Sequence, residues 1–411
     1  MASSSGPASH GAWNEIYGCP NVVSRIGTGL ISAFFFTWFA AACLWTVNAL
    51  RRPIPPGKPF PPLWLPAMLV SELAPAYFLL RIAVAALFLT LGAATLAIGQ
   101  AGMVLFVLSE IGLIVLMSRT IRASRAAGHP PSLLTLFKVW ERWPKGVEHH
   151  VEVPYWGSLT LDIYARPNLN MAPTLIYVHP GSWMRGRPGR QSRAMFHRLA
   201  KIGWVILDIR YPLSPEATFP EHLIGVKRAI AWAREEGAGY GIDGNRIAIS
   251  GGSSGAHLAA LAALTARNRD LQTGFEKADV EVAACLPFYG IYDLLVRNPT
   301  RYDWPFIAQK VMKKPASEDP YLYSLGSPID QVHAEAPPFF VIHGEFDSVV
   351  LPAESEHFVE ALRQADVDTS YFEVPGAQHG FDALASLRTR AVAALCSEWL
   401  EKSVNGLGQK R

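Results

Sequence analysis

The chain has 411 residues, of which 50% are hydrophobic and only 17% are charged, and its formal net charge is +3. Average soluble proteins have about 25% charged residues, so this composition excludes a disordered chain and a highly charged coiled coil. Because lysine and arginine form no long block, we expect no nucleic-acid partner.

After an N-terminal tail of residues 1–25, apolar residues concentrate in a predicted membrane region over residues 26–120. The stretch Ile26–Leu50 contains no charged residue. A membrane-spanning helix needs about 20 apolar residues, whereas the apolar part of a signal peptide has only about 7–15. We therefore expect a first transmembrane helix here rather than a cleaved leader.

The second apolar stretch, Ile82–Ser118, contains Glu110 as its single charged residue and is too long for one bilayer crossing. We expect the chain to fold back around Gly99–Gly102. This gives helices over roughly 76–98 and 101–118 and predicts three transmembrane helices in all. Glu110 is then either paired inside the helix bundle or placed near a water-filled surface.

Basic residues flank the predicted helices. Arg51 and Arg52 follow the first helix, and Arg119 and Arg122 follow the third, while the predicted hairpin carries no basic residue. The positive-inside rule then places the N-terminus outside and the chain after Arg119 in the cytoplasm.

Residues 121–145 form the predicted linker to the rest of the chain. Five apolar residues recur in it at near-helical spacing: Leu133, Leu136, Phe137, Trp140 and Trp143. They indicate either an amphipathic bridge helix on the membrane surface or the first helix of the next domain, packed on its core.

Strands and helices alternate from residue 146 onward. The predicted strands cover 151–156, 159–164, 174–178, 204–209, 246–249, 282–288, 339–342 and 369–374. The predicted helices cover 192–201, 221–235, 255–266, 353–364 and 383–401. This alternation predicts an α/β domain over 146–403, with a mostly parallel sheet and helices on both faces, followed by a C-terminal tail over 404–411.

A candidate nucleophile lies between a predicted strand and a predicted helix, in Gly251-Gly252-Ser253-Ser254-Gly255. This is the G-x-S-x-G pattern, in which glycines allow a sharp turn that exposes the serine hydroxyl. Ser250 and Ser254 are competing candidates, but only Ser253 has glycine two residues before and two residues after it.

A serine nucleophile needs a base, and the base needs a carboxylate that fixes its tautomer. His379 follows the last predicted strand and is the candidate base. Glu345 and Asp347 both follow the strand over 339–342, so either is a candidate acid.

Four motifs of this chain resemble those of bacterial α/β-hydrolase esterases related to hormone-sensitive lipase and kynurenine formamidase. The segment His179-Pro180-Gly181-Ser182-Trp183 is similar to the oxyanion loop H-G-G-x-W, and Tyr211–Pro220 is similar to Y-R-L-A-P-E-x-x-F-P. Gly251–His257 is similar to G-x-S-A-G-G-H, and His343–Asp347 matches H-G-x-x-D. The resemblance covers residues 146–403.

The resemblance implies an α/β-hydrolase fold, here preceded by an N-terminal transmembrane helical region. It implies a catalytic triad of Ser253, Asp347 and His379, in the chain order of that family. Pro180 has no amide hydrogen. The expected oxyanion donors are therefore the amides of three residues: Gly181, Ser182 and Ser254.

Four aromatic residues are the predicted substrate-binding residues: Trp183, Tyr302, Trp304 and Phe306. The last three lie in residues 292–336, the expected specificity insertion, where they either line a pocket or form the core of the insertion.

Together these residues predict a membrane-anchored serine esterase or lipase that cleaves carboxylic esters through an acyl-enzyme intermediate. Two alternatives stay open: an amidase or formamidase with the same triad, and a non-catalytic ligand-binding protein on the same fold. The expected partners are a small-molecule or lipidic ester and membrane lipids, and the oligomeric state is left open. We expect residues from about Pro130 onward to fold alone and to hydrolyse short esters.

No cofactor and no metal are expected. The four cysteines are widely scattered, form no CxxC pair and suggest no disulfide framework: Cys19, Cys43, Cys285 and Cys396. The chain also resembles membrane-anchored actinobacterial esterases, which implies the bacterial plasma membrane as its location, with the catalytic domain in the cytoplasm.

Overall fold

The computed structural model describes residues 20–54, 63–138, 143–301 and 304–406. The chain divides into two compact units. The first comprises Met1–Val47 and Ala76–Leu113, and the second comprises Asn48–Pro75 and Ile114–Arg411. The chain therefore passes between the two units three times.

Four α-helices begin before the linker: α1 (Pro20–Leu50), α2 (Trp64–Glu72), α3 (Ala74–Thr90) and α4 (Ala97–Ala126). Gly27–Leu50 and α4 are each long and apolar enough to cross a membrane. The consecutive helices α2 and α3 add a third candidate if they count as one broken span. The expectation of N-terminal helices that can span a membrane is confirmed.

The predicted hairpin position in this region is wrong. The chain turns at residues 91–96, where Gly92 adopts a left-handed φ of +82°, and Gly99 and Gly102 lie inside α4. A Cβ atom at Gly102 would lie 2.7 Å from Phe35 Cδ1 of α1, and one at Gly99 would lie 1.7 Å from the Ala93 carbonyl oxygen. These two glycines therefore allow close packing rather than a turn. The helix after the turn is consequently 30 residues long instead of short.

The second unit contains an eight-stranded sheet with strand order β1-β2-β4-β3-β5-β6-β7-β8. The strands are β1 (Glu148–Trp156), β2 (Leu159–Ala165), β3 (Ala172–Val178), β4 (Val205–Ile209), β5 (Ile242–Gly252), β6 (Ala284–Phe288), β7 (Phe339–Gly344) and β8 (Thr369–Val374). β1 pairs antiparallel with β2, and β2 pairs antiparallel with β4. All other neighbours are parallel, so the predicted mostly parallel sheet is confirmed.

Helices cover both faces of the sheet. The remaining helices are α5 (Leu133–Leu136), α6 (Arg193–Lys201), α7 (Glu221–Glu235), α8 (Ser254–Leu264), α9 (Pro320–Leu325), α10 (Pro352–Gln364) and α11 (Leu387–Asn405). On β3, Ile176 and Val178 belong to the core shared with α7, α8 and α10. Leu175 and Tyr177 point to the opposite face and belong to the core shared with α6 and α11. Full burial of an aliphatic side chain such as Ile176 or Leu175 stabilises the fold by about 1.5–3 kcal/mol, relative to leaving that side chain exposed.

Residues 121–126 of the predicted linker belong to α4. Its other described residues contain one short helix, α5, which Ser132 caps by accepting a hydrogen bond from the Thr135 amide. The Trp143 ring stacks on the Tyr164 ring of β2 at a centroid distance of 4.4 Å and contacts His197 of α6 at 4.1 Å. For Trp143 the structure thus favours packing on the sheet domain. Trp140 lies outside the described residues.

Candidate active site

Ser253 occupies the sharp turn between the end of β5 and the start of α8. Its backbone has φ +54° and ψ −120°, a conformation that is strained for a residue with a Cβ atom. The turn is tight on both sides. A Cβ atom at Gly251 would lie 2.5 Å from the Gly255 carbonyl carbon, and one at Gly255 would lie 2.0 Å from the Val178 oxygen. The glycines at these two positions are therefore required by the turn itself.

The structure brings the three predicted triad side chains into one hydrogen-bonded row. His379 Nε2 lies 3.0 Å from Ser253 Oγ, and His379 Nδ1 lies 2.6 Å from Asp347 Oδ2. These distances match the requirement that a base contact both its nucleophile and the carboxylate that orients it.

The Asp347 carboxylate is fully buried and held from several sides. Its Oδ1 accepts hydrogen bonds from the amides of Val349 at 2.8 Å and Val350 at 2.9 Å. His343 Nε2 lies 3.4 Å from its Oδ2. Burial alone would raise the pKa of the Asp347 carboxyl, but His379 and His343 outweigh burial and hold that pKa well below its usual range. Asp347 is therefore ionised and fixed in position.

Glu345, the competing acid, contacts other groups. Its Oε2 accepts a hydrogen bond from the Gly376 amide at 2.8 Å and pairs with Arg122 at 3.1 Å. Glu345 thereby connects the end of α4 with the loop that carries His379.

The predicted oxyanion residues Gly181, Ser182 and Ser254 lie around the same turn. Gly181 and Ser182 line one cavity together with Ser253 and His379. Gly181 has φ +141°, and a Cβ atom there would lie 1.7 Å from the Arg185 carbonyl oxygen, so the loop requires glycine at this position. Ser254 is the first residue of α8, and the first amides of a helix have no acceptor within that helix.

Three of the four predicted substrate-binding residues line this cavity, whereas Tyr302 lies outside the described residues. Trp183 is buried, and its Nε1 donates a hydrogen bond to His257 Nδ1 at 3.1 Å. Burial lowers the pKa of His257 to about 3, so its ring is neutral and can accept this bond. Trp304 and Phe306 stack on each other at a centroid distance of 5.8 Å.

The cavity has a volume of about 1160 Å³ and includes residues that the sequence did not single out. Four of them come from the start of α2 and the residue before it: Leu63, Trp64, Leu65 and Pro66. The Trp64 ring lies edge-on to the His379 ring at a centroid distance of 6.0 Å. Three arginines also line the cavity: Arg185, Arg187 and Arg190. The run of basic residues directly after the oxyanion loop was the sequence signal for these arginines.

Buried polar contacts fasten α2 to the sheet domain. Glu72 at the end of α2 forms an ion pair with Arg388 of α11, and both side chains are fully buried. Ser386 Oγ donates a hydrogen bond to Glu72, and Arg388 Nη2 donates one to Thr120 Oγ1 of α4 at 3.1 Å. The α2 helix is therefore a fixed wall of the cavity.

The last turns of α4 contact the two loops that carry Asp347 and His379. The Arg119 guanidinium lies over the Phe346 ring at 4.2 Å from its centroid. A Cβ atom at Gly376 would lie 2.8 Å from Arg119 Cβ, so the loop packs closely against this arginine. Ser71 Oγ of α2 donates a weak hydrogen bond to the Gly376 carbonyl at 3.4 Å. Residues before the sheet thus help to position the loops that carry Asp347 and His379.

Among the described residues, no group of three or more His, Cys, Asp or Glu side chains is arranged to hold a metal ion.

Known proteins share these features. A family model described as BD-FAE matches residues 161–362, which include Ser253 and Asp347 and end before His379. Esterase LipQ of Mycobacterium tuberculosis (strain ATCC 25618 / H37Rv) is 47% identical over 245 residues, which are 58% of this chain and 58% of that protein. Esterase LipC of the same organism is 40% identical over 239 residues, which are 57% of this chain and 59% of that protein. The chain thus spans less than two thirds of the length of these relatives.

Solved structures share the fold. A truncated form of a carbohydrate esterase from gut microbiota has a TM-score of 0.54 at 24% identity, covering 67% of this chain and 99% of that chain. A thermophilic esterase from the Planctomycetes species Thermogutta terrifontis has a TM-score of 0.52 at 23% identity, covering 64% of this chain and 95% of that chain. The α/β-hydrolase fold expected from the sequence is confirmed.

Proposed function

We propose, because residues 161–362 belong to the BD-FAE family of α/β-hydrolase esterases, that this chain is a serine hydrolase of carboxylic esters. The observation that carries the proposal is the row Ser253–His379–Asp347, with distances of 3.0 Å and 2.6 Å, beside one large cavity. The names of the relatives LipQ and LipC, both esterases, support an ester rather than an amide bond as the target.

In the first half of the proposed reaction, Ser253 Oγ attacks the ester carbonyl carbon while His379 Nε2 accepts the hydroxyl proton. The carbonyl oxygen becomes an oxyanion, which the amides of Gly181, Ser182 and Ser254 stabilise by hydrogen bonds. The bond to the alcohol oxygen then breaks, and His379 gives its proton to that oxygen. The products are a free alcohol and an acyl group on Ser253.

In the second half, His379 takes a proton from water as the water oxygen attacks the acyl carbon. The bond to Ser253 Oγ breaks, the proton returns to Oγ, and the carboxylic acid leaves. Asp347 stays ionised throughout, and it stabilises the imidazolium form of His379 in both halves.

The proposed location is the bacterial plasma membrane, with α1, α3 and α4 as three spans and the sheet domain in the cytoplasm. The apolar helices and the basic residues Arg119 and Arg122 near the end of α4 support this topology. A reporter fused after Arg411 should then behave as cytoplasmic, and a reporter placed before Gly27 should behave as external. An external reporter at both ends would contradict the topology.

The proposed chemistry is tested with the full chain in neutral detergent and a panel of p-nitrophenyl esters and matched anilides. We expect ester hydrolysis, and we expect Ser253→Ala to lower kcat by several orders of magnitude because the nucleophile is lost. Ser254→Ala keeps its backbone amide and is the matched control, so its effect should be small. Faster hydrolysis of the anilides would indicate an amidase. No turnover of either class by the wild-type chain would favour a binding protein.

A further inference from the structure

The charged side chains of the catalytic cavity are unevenly distributed. Arg185, Arg187 and Arg190 line it, and all three are exposed. Among the described residues, none forms a hydrogen bond or an ion pair with the side chain of Arg185 or Arg190. These two guanidinium groups therefore keep their donors free for a ligand.

No carboxylate offsets this charge among the described lining residues. Asp208 is the single carboxyl there, and burial raises its pKa to about 8, so it is mainly neutral at pH 7. Burial also lowers the pKa of His179 to about 4, so this lining imidazole is neutral as well. The mouth of the cavity is thus positively charged.

The backbone of the arginine loop is held in place. The Gly189 amide donates a hydrogen bond to Asp208 Oδ2 at 2.6 Å. A Cβ atom at Gly186 would lie 2.2 Å from His179 Nδ1, so the loop lies directly on this buried side chain. Arg185 and Arg190 are the neighbours of Gly186 and Gly189 in the sequence. Because the loop is already held in place, less conformational entropy is lost when an anion binds between the two arginines.

Other walls of the same cavity are apolar. Its apolar lining includes Leu63, Leu65, Trp304, Phe306 and Val349. Surfaces of this kind bind acyl chains, because each methylene removed from water contributes about 0.8 kcal/mol.

We propose that the substrate of this site is an anionic amphiphile, an ester that carries both an apolar chain and a phosphate or carboxylate group. The chain lies along the apolar wall, and the anionic group binds Arg185 and Arg190. This inference rests on the proposed ester hydrolysis, whose substrate class it narrows.

Binding is measured by calorimetry on the full chain in neutral detergent with three probes: hexyl phosphate, hexanol and inorganic phosphate. Calorimetry needs no turnover, so failure of the esterase proposal in the p-nitrophenyl ester assay would be recognised separately. We expect hexyl phosphate to bind at least about tenfold more tightly than either other probe, the size of one charge-assisted hydrogen bond at an exposed site. This preference should weaken at high salt, because salt screens exposed charges.

The double variant R185Q/R190Q should lose most of the preference for hexyl phosphate over hexanol. The control R166Q/R363Q removes the same charge from exposed arginines outside the cavity and should keep the preference. Equal binding of hexyl phosphate and hexanol, or a preference that survives R185Q/R190Q, would overturn the proposal. Binding of inorganic phosphate as tight as that of hexyl phosphate would also overturn it, since the apolar chain would then contribute nothing.

Discussion

The helices α2 and α3 are consecutive and similarly apolar, yet they are built into different units of the molecule. α2 carries Glu72 as its one charged residue and buries it against Arg388 of the sheet domain. α3 carries Arg81, which donates a hydrogen bond to Thr46 of α1 at 2.9 Å, and it exposes leucines such as Leu80. The partner of one charged side chain therefore distinguishes a helix of the sheet domain from a helix of the first unit.

This difference changes what the residues before the sheet are expected to do. Leu63–Pro66 line the cavity beside Ser253, and Arg119 and Arg122 contact the loops that carry Asp347 and His379. A chain that starts near Pro130 would lack all of these contacts. We now expect such a chain to lose activity on short as well as long esters, which differs from the expectation based on the sequence.

The largest effect should come from comparing the proposed catalytic acid, Asp347, with Glu345, the acid that contacts α4. Asp347→Asn removes the carboxylate that orients His379, and we expect kcat to fall by about 10⁴-fold, as in the best-studied triad. Glu345→Gln loses an ion pair with Arg122 and should cost far less. Steady-state kinetics on p-nitrophenyl butyrate compare the two variants. The reverse ranking would make Glu345 the triad member.

A second prediction concerns the buried ion pair that holds α2. Glu72→Gln leaves the Arg388 guanidinium buried without a counter-charge, and such a change costs about 3–5 kcal/mol of unfolding free energy. The double variant Glu72→Leu with Arg388→Met removes both charges and should recover much of that loss. Arg81→Gln in α3 is the matched control. Thermal unfolding of the sheet domain is followed by near-UV circular dichroism. The unfolding temperature should fall for Glu72→Gln and change little for Arg81→Gln.

The smallest effect should come from the aromatic contact between Trp64 of α2 and His379. Trp64→Ala removes an edge-on aromatic contact worth about 0.5–1.5 kcal/mol, which corresponds to roughly 2- to 10-fold in kcat/KM. Leu80→Ala in α3 removes an exposed side chain and should leave kcat/KM unchanged. A decanoate ester is the best substrate for this comparison, since its long acyl chain would contact the apolar wall of the cavity. Equal effects of the two substitutions would contradict the assignment of α2 to the cavity.

The sheet domain was largely predictable because its signals are local. The inner strands β3, β4, β6 and β7 are short and mostly apolar, and the turn at Ser253 needs glycines at Gly251 and Gly255 that are visible in the sequence. Ser253, Asp347 and His379 each follow the carboxyl end of a parallel strand. The three side chains therefore lie at the same edge of the sheet, where the structure also finds them.

The wall formed by α2 was not predictable, because its anchor joins Glu72 to Arg388 across 316 positions of sequence. Gly99 and Gly102 misled the prediction for a different reason. Glycine serves both turns and close helix packing, and the sequence does not distinguish these two uses. The arginines of the cavity mouth are visible in the sequence, but their position beside Ser253 depends on how the loop after Gly181 folds.

The central claim is that Ser253 is an activated nucleophile in an esterase site. Its most direct test is labelling of the full chain with a fluorophosphonate, followed by peptide mapping. We expect one phosphonylated residue, Ser253, and we expect labelling to be abolished in Ser253→Ala and strongly slowed in Asp347→Asn. Label on Ser254 or Ser250, or no label on a chain that still hydrolyses esters, would contradict the account.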